Sequence, residues 1–410
     1  MPTVCAVPRS RASAGAATQW AAVASLMACG FVAAVQVGKG AAALPVLQAD
    51  FGLSASAAAW YLSAMSALGA AFGTLLGWTG QALGFRRQVL LGLATIAVAN
   101  VAGAALQTSG GLLTTRVAEG LGFVLVVLAA PGLLPGLAAP GSRRLVVGAW
   151  GAYMPVGSGL AALLVPSVVA DLGWPTALLL DALLAVLAAL TVLRWVPGAP
   201  ARRLPGREGL LGAVRSPGVV CLAVVFGLYA GQYLAVLGLF PAMLVHDGGL
   251  ALRTAGVLSG LAFLVNAPGN LVGAYLLHRG VARWRLVVVG SLCMAATVWA
   301  GQDGALPLGV RIAAVALFSF LSGLVPASLF SGVAALTAGT PAAGASVGVI
   351  TQGSSIGQLL VPPLVVAAGA ASSSWTAQPA VLSCLGLLAV LAGAVYRRWD
   401  PAPSPGDAAR

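Results

Sequence analysis

Val156-Gly-Ser-Gly-Leu-Ala-Ala-Leu-Leu-Val-Pro166 and Gln352-Gly-Ser-Ser-Ile-Gly-Gln-Leu-Leu-Val-Pro362 agree at six of eleven positions and lie 196 residues apart. The same offset carries Gly77, Gly84 and Arg87 onto Gly273, Gly280 and Arg283, and Gln36 and Pro45 onto Gln232 and Pro241. An offset of 195 carries Arg116 and Pro131 onto Arg311 and Pro326. One such match means little in a chain rich in Ala, Gly and Leu. Four in order at nearly one spacing mark an internal duplication.

Composition says what is duplicated. Of 410 residues, 60% are hydrophobic and 7% charged, where a water-soluble domain carries about 25%. The solvent for most of this surface is therefore lipid, which leaves backbone N–H and C=O groups unsatisfied unless the chain is helical or a closed barrel. The apolar runs are long, rich in Ala, Leu, Val and Gly, and lack the alternation of barrel strands. The chain reads as an all-α membrane protein.

A crossing takes about 20 apolar residues. Spans are expected near 18–43, 57–78, 88–107, 112–137, 145–169 and 175–196, then 217–241, 254–277, 285–301, 307–332, 345–368 and 377–396. The apolar segment after Arg9 and Arg11 exceeds the roughly 7–15 residues of a signal-peptide core, so it is read as an uncleaved first span. Prolines and arginines between Pro197 and Pro217 mark a linker without apolar periodicity. The expected organisation is a six-helix bundle over 1–196, a linker over 197–216, a second six-helix bundle over 217–398 and a tail over 399–410.

Charge orients the spans. With both termini placed in the cytoplasm, 17 of the 21 basic residues fall on that side. Only Arg253 and Arg311 fall on the other, while Lys39 and Arg116 lie within spans. This is the positive-inside pattern of a multi-pass protein, here of a bacterial inner membrane. The net charge of +12 thus reports topology; its short clusters do not form a nucleic-acid surface. Cys5, Cys29, Cys221, Cys293 and Cys384 are scattered without a CxxC pair, so neither a disulfide framework nor a metal site is indicated.

Two motifs then carry a resemblance. Gly77-Trp-Thr-Gly-Gln81-Ala-Leu-Gly84-Phe-Arg86-Arg87 resembles the cytoplasmic loop motif G-x-x-x-D-x-x-G-x-R-R of the major facilitator superfamily, with Gln81 where the family has Asp. Arg116-Val-Ala-Glu119-Gly120-Leu-Gly122 resembles its fourth-span motif R-x-x-x-G-x-G. The Gly- and Pro-rich stretch from Gly148 to Gly159 loosely resembles an antiporter motif, and Leu44-Pro45 through Ser54 resembles the end of a first span. The resemblance implies two six-helix bundles related by a pseudo-two-fold axis, with the solute between them. It also implies a gating role for Gly77, Gln81, Gly84, Arg86 and Arg87.

Ionisable and amide groups inside spans are costly and mark candidate sites. Lys39 is the single lysine, late in span one; Arg116 and Arg311 stand early in spans four and ten. Around one cavity these three cations would select an anion, with guanidinium groups pairing bidentately with carboxylates. Glu119, one turn from Arg116, is either its ion-pair partner or a proton-coupling group. Gln36 and Gln232 are candidates for solute contact or for bonding between helices, whereas Asp181 reads as structural or interfacial. Asn266 and Asn270, one turn apart in span eight, and Gln352 and Gln358 in span eleven read as interhelical hydrogen bonders.

The expected function is secondary active transport of a small organic solute, anionic in character, driven by an ion gradient with the proton as coupling ion. The alternative is a proton-coupled exporter of drugs or metabolites. A non-transporting sensor would need a signalling domain that the short tails do not offer. There is no G-x-x-x-x-G-K-[ST] motif for an ATP site, and His246 and His278 fall on opposite sides, so an enzyme is not expected. Nor is a cofactor; the chain is read as a monomer whose partners are solute, coupling ion and lipid.

Overall fold

The computed structural model describes residues 17–106, 108–198, 206–372 and 376–401. Among these, twelve helices are long and apolar enough to cross a membrane. Spans one to six are Trp20–Phe51, Ala55–Gly80, Phe85–Ala105, Ser109–Leu137, Leu145–Leu172 and Trp174–Trp195. Spans seven to twelve are Pro217–His246, Leu252–His278, Arg283–Gln302, Leu308–Leu336, Ala343–Ala371 and Ala377–Tyr396. No strand occurs among the described residues.

The duplication is visible in the backbone. Gly84 and Gly280, one offset apart, turn the chain between spans two and three and near the matching turn after span eight, with φ of +85° and +83°. Only a residue without a β-carbon enters that region at low cost. The halves meet along two related seams, spans two with eleven and spans five with eight. A β-carbon at Gly77 would lie 2.7 Å from Gly348 Cα and 2.8 Å from the Gly344 carbonyl oxygen. In the other seam, one at Gly260 would lie 2.9 Å from the Gly159 oxygen. Small residues set how closely these helices approach.

Two expectations need correction. Spans one and seven do not stop near 43 and 241: they continue to Phe51 and His246, with Pro45 and Pro241 buried inside them. An interior proline forfeits one backbone bond, and packed neighbours make it tolerable inside a membrane bundle. Span one ends instead at Gly52, whose φ of +60° makes it a left-handed cap donating to the Gln48 oxygen. The linker, moreover, is partly helical. Arg207–Arg215 forms nine residues of helix with Gly209 and Ala213 buried, and Gly209 sits against Pro341 at the start of span eleven. Those two small residues, four apart, are the periodicity that the arginines obscure. Residues 199–205 of the linker lie outside the described part.

Candidate functional site

Span two is broken at Met65 and Ser66, between helices Ala55–Ala64 and Ala67–Leu83. The break faces Gly120 of span four, where a β-carbon would come within 1.6 Å of the Met65 carbonyl oxygen. Gly122 lies close to span three, 2.6 Å from the Gly92 oxygen by the same measure. The two glycines of the fourth-span motif thus draw spans two and three against span four, beside Arg116 and Glu119. Gly40 of span one completes the approach: its missing side chain leaves room for Arg116 Nη2, which a β-carbon would meet at 2.5 Å.

These approaches enclose a network of two cations and two carboxylates. Lys39, Arg116, Glu119 and Asp181 are 2%, 2%, 1% and 3% exposed. Lys39 Nζ donates to Asp181 Oδ2 at 2.8 Å, Gln36 Oε1 at 2.8 Å and Glu119 Oε1 at 3.2 Å, and also to Asn100 Oδ1. Gln36 Nε2 donates to Asp181 Oδ2 at 2.7 Å, and Asn100 Nδ2 donates back to Gln36 Oε1 at 3.2 Å. Arg116 Nη1 donates to Glu119 Oε2 and, at 2.9 Å, to the Gln36 carbonyl oxygen. Four spans of the first half contribute, and the formal charges cancel. Removing one member would leave a buried charge unmatched, which makes such a cluster all-or-none.

Arg116 also packs against span two. Its guanidinium lies 5.0 Å from the Tyr61 ring centroid, and among the described residues Nη2 bonds only to the Met65 sulfur, at 3.6 Å. Buried Nε has no hydrogen-bond partner among the described residues. Nε and Nη2 form the edge with which a guanidinium takes a carboxylate bidentately. That residue lines a small void of about 10 Å³ between the halves, with Ser66, Gln358, Leu62 and Leu234, room for no more than about one water. Ser66 Oγ donates to Gln358 Oε1 across the seam at 2.9 Å. Toward the face opposite the arginine-rich loops, a cavity of about 250 Å³ opens between spans one, two and seven, bordered by Gln48, Phe240, His246 and Asp247.

The structure brings Gln36, Lys39, Arg116 and Glu119 together and leaves Gln232 and Arg311 elsewhere. Gln232 is wholly buried and, among the described residues, donates only to its own helix, at the Leu228 oxygen. Arg311 pairs with Asp247 at 3.5 Å, on an acid that is 60% exposed. The three cations therefore do not gather around one cavity, and all three are matched by acids. Asp181, read from sequence as structural or interfacial, is a full member, and Asn100 had no signal beyond being an amide in an apolar run. Asn266 bonds to span ten through the Ser319 oxygen at 2.8 Å and Ser322 Oγ at 2.9 Å. Gln352 bridges the halves, donating to the Ala70 oxygen at 2.7 Å and accepting from Thr74 N at 3.1 Å.

Of the loop motif, Gly77 packs on span eleven, Gly84 makes the turn and Arg86 Nη2 donates to the Leu193 oxygen at 2.9 Å. Arg87 follows in the first turn of span three, exposed. Gln81 stands in the last turn of the helix Ala67–Leu83, and its side chain lies outside the described part.

No curated protein matches this sequence. The fold superposes on the crystal structure of a D-xylose-proton symporter with a TM-score of 0.74, covering 93% of this chain and 98% of that one at 15% identity. At that identity the likeness speaks for the fold alone. Residues 26–362 match the model of the Major Facilitator Superfamily. With most of its length inside that match and twelve spans in two related halves, the chain belongs to the major facilitator superfamily.

Proposed function

We propose that this transporter moves a small organic anion together with a proton, by alternating access of the seam void to the two sides of the membrane. The observation that carries the reading is Arg116, which lines the void and whose Nε and Nη2 bond to no oxygen among the described residues. A carboxylate there would gain two charge-assisted hydrogen bonds without displacing Glu119 from Nη1. Ser66 and Gln358 offer a hydroxyl and an amide beside it. Leu62 and Leu234 offer apolar walls for the solute body. Lys39 and Gln36 hold the carboxylates that balance the site, Glu119 relays charge between the cations, and Gln232 and Arg311 stand outside it. Residues 1–196 and 217–398 are the units that rock, with the arginine-rich loops and both termini in the cytoplasm of a bacterial cell.

Purified protein in liposomes tests this with labelled glycolate, lactate, pyruvate and mandelate under an imposed pH gradient. Uptake of at least one is expected. Arg116→Lys, which keeps the charge and loses the fork, should weaken affinity by about ten- to a hundred-fold. Arg311→Ala should leave it intact. A cysteine at Ala201, outside the described residues, should resist labelling from the outside of intact cells. A second reading, export of a neutral or cationic solute against protons, draws on the network being balanced before any solute arrives. It predicts flux of such a solute in inverted vesicles and none of the four acids.

A further inference from the structure

The two carboxylates of the network are not equivalent. Glu119 places one oxygen on each cation, Oε1 on Lys39 and Oε2 on Arg116. Asp181 receives Lys39 and Gln36 through Oδ2 alone, and its Oδ1 is buried with no partner among the described residues. An unpartnered oxygen in a dry interior is where a proton is accepted at least cost, since it breaks no existing hydrogen bond.

We infer that Asp181 Oδ1 carries the coupling proton, one for each monovalent anion, so that the transport cycle is electroneutral. This rests on the reading that an anion binds Arg116. The empty network is neutral, with two cations against two carboxylates. An anion on the outer edge of Arg116 makes it net negative, and a buried net charge is expensive. The relay runs along the bonds of the network: Arg116, shared with the anion, holds Glu119 less strongly; Glu119 then draws Lys39; Asp181 loses part of its cation and takes a proton on Oδ1. Anion and proton arrive together and leave together. No bond other than O–H forms or breaks, and the proton comes from water on the side from which the anion enters.

The groups facing Asp181 are consistent with this assignment. Span one presents Lys39 and Gln36, span four presents Glu119, and span three presents the Asn100 amide. Span five also packs on span six, but its ionisable groups are engaged elsewhere, Tyr153 stacked on Trp150 and Asp171 paired with Arg253. Lys39 is thus the only cation bonded to Asp181 among the described residues, and its four acceptors compete for three N–H bonds.

Three measurements on full-length protein in liposomes decide it, with lactate as the main probe because it has a carboxylate, a hydroxyl and a methyl. A tenfold inward proton gradient should drive about tenfold accumulation, the ratio that one proton per anion fixes. Potassium diffusion potentials of about 100 mV in either direction should leave that ratio unchanged, whereas one uncompensated charge would move it about fifty-fold. Asp181→Asn should abolish accumulation while labelled lactate still exchanges across the membrane, and Asp181→Glu should restore part of the accumulation. In infrared difference spectra, the protonated-carboxyl band induced by lactate should vanish in Asp181→Asn and persist in Glu119→Gln. A band lost only in Glu119→Gln overturns the choice of Asp181. Potential-dependent accumulation overturns electroneutrality yet leaves anion transport standing. Absence of flux with glycolate, lactate, pyruvate and mandelate alike overturns the anion reading and this inference with it.

Discussion

Gln36 and Gln232 occupy matching places in the two halves, and each donates Nε2 to the carbonyl four residues back, at 3.1 and 2.9 Å. There the likeness stops. The offset of 196 carries Lys39 and Asn100 onto Ala235 and Ala296, and that of 195 carries Glu119 onto Ala314. Where the first half buries four charges, the second stacks Tyr229 on Tyr233 at 5.9 Å and sets Tyr233 edge-on to Phe263 at 6.0 Å. Small residues and prolines reproduce the backbone twice, while ionic chemistry is gathered in one copy. A network confined to a single half can change protonation without opening the seam. Of its members, only Arg116 lines the void at the seam.

The largest effect should come from breaking that asymmetry. Lys39→Met leaves two buried carboxylates sharing Arg116 and should cost about 3–5 kcal/mol, read as a fall in thermal stability in detergent. Adding Asp181→Asn should return part of the loss, because the pair is then removed together. No recovery would mean that Lys39 is held by something other than its acids.

Next come two glycines in matching tight places. A β-carbon at Gly269 would lie 1.9 Å from the Phe320 oxygen, as one at Gly120 would lie 1.6 Å from that of Met65. Gly120→Ala and Gly269→Ala should each cost about 1–3 kcal/mol of stability through overpacking. Only Gly120→Ala, which shifts the break in span two beside Arg116, should alter the pH dependence of uptake. Equal pH profiles would argue that the charged half is no more tightly built than the other.

Gln36→Leu strips hydrogen bonds from Lys39, Asn100 and Asp181 and should cost about 1–3 kcal/mol. Gln232→Leu removes an amide whose Oε1 has no partner among the described residues, so its change should stay within about 1 kcal/mol. Smallest of all is the exposed pair of Arg253 with Asp171, both more than half exposed. Arg253→Ala should cost about 0.2–1 kcal/mol, fading in high salt.

Lipid demands long apolar runs, so all twelve spans could be read from the sequence; their ends could not. Pro45 and Pro241 look like stops because proline breaks helices in water, and the packing that tolerates them is tertiary. Lys39, Arg116 and Glu119 stood out because an ionisable group in an apolar run has no lipid to favour it. How they group was hidden. Helical spacing tells which residues share a face, but not which neighbour that face meets. Symmetry misled as well: the offset that pairs Arg311 with Arg116 conceals that the second half has Ala314 where Glu119 stands, so Arg311 turns to Asp247 instead. Asp181, six residues after the expected start of its span, looked interfacial until span one was seen beside it.

The short helix Arg207–Arg215, docked through Gly209 on Pro341, changes what the connection between the halves can be. Tied to the start of span eleven, it travels with the second half as a strut and shortens the free tether. A transporter expressed as two separate polypeptides should therefore reassemble when the chain is divided between Gly198 and Gly206, with the strut left on the second piece. Divided after Arg215, the second piece would lose that brace, and the first would carry an amphipathic helix with nothing to dock on.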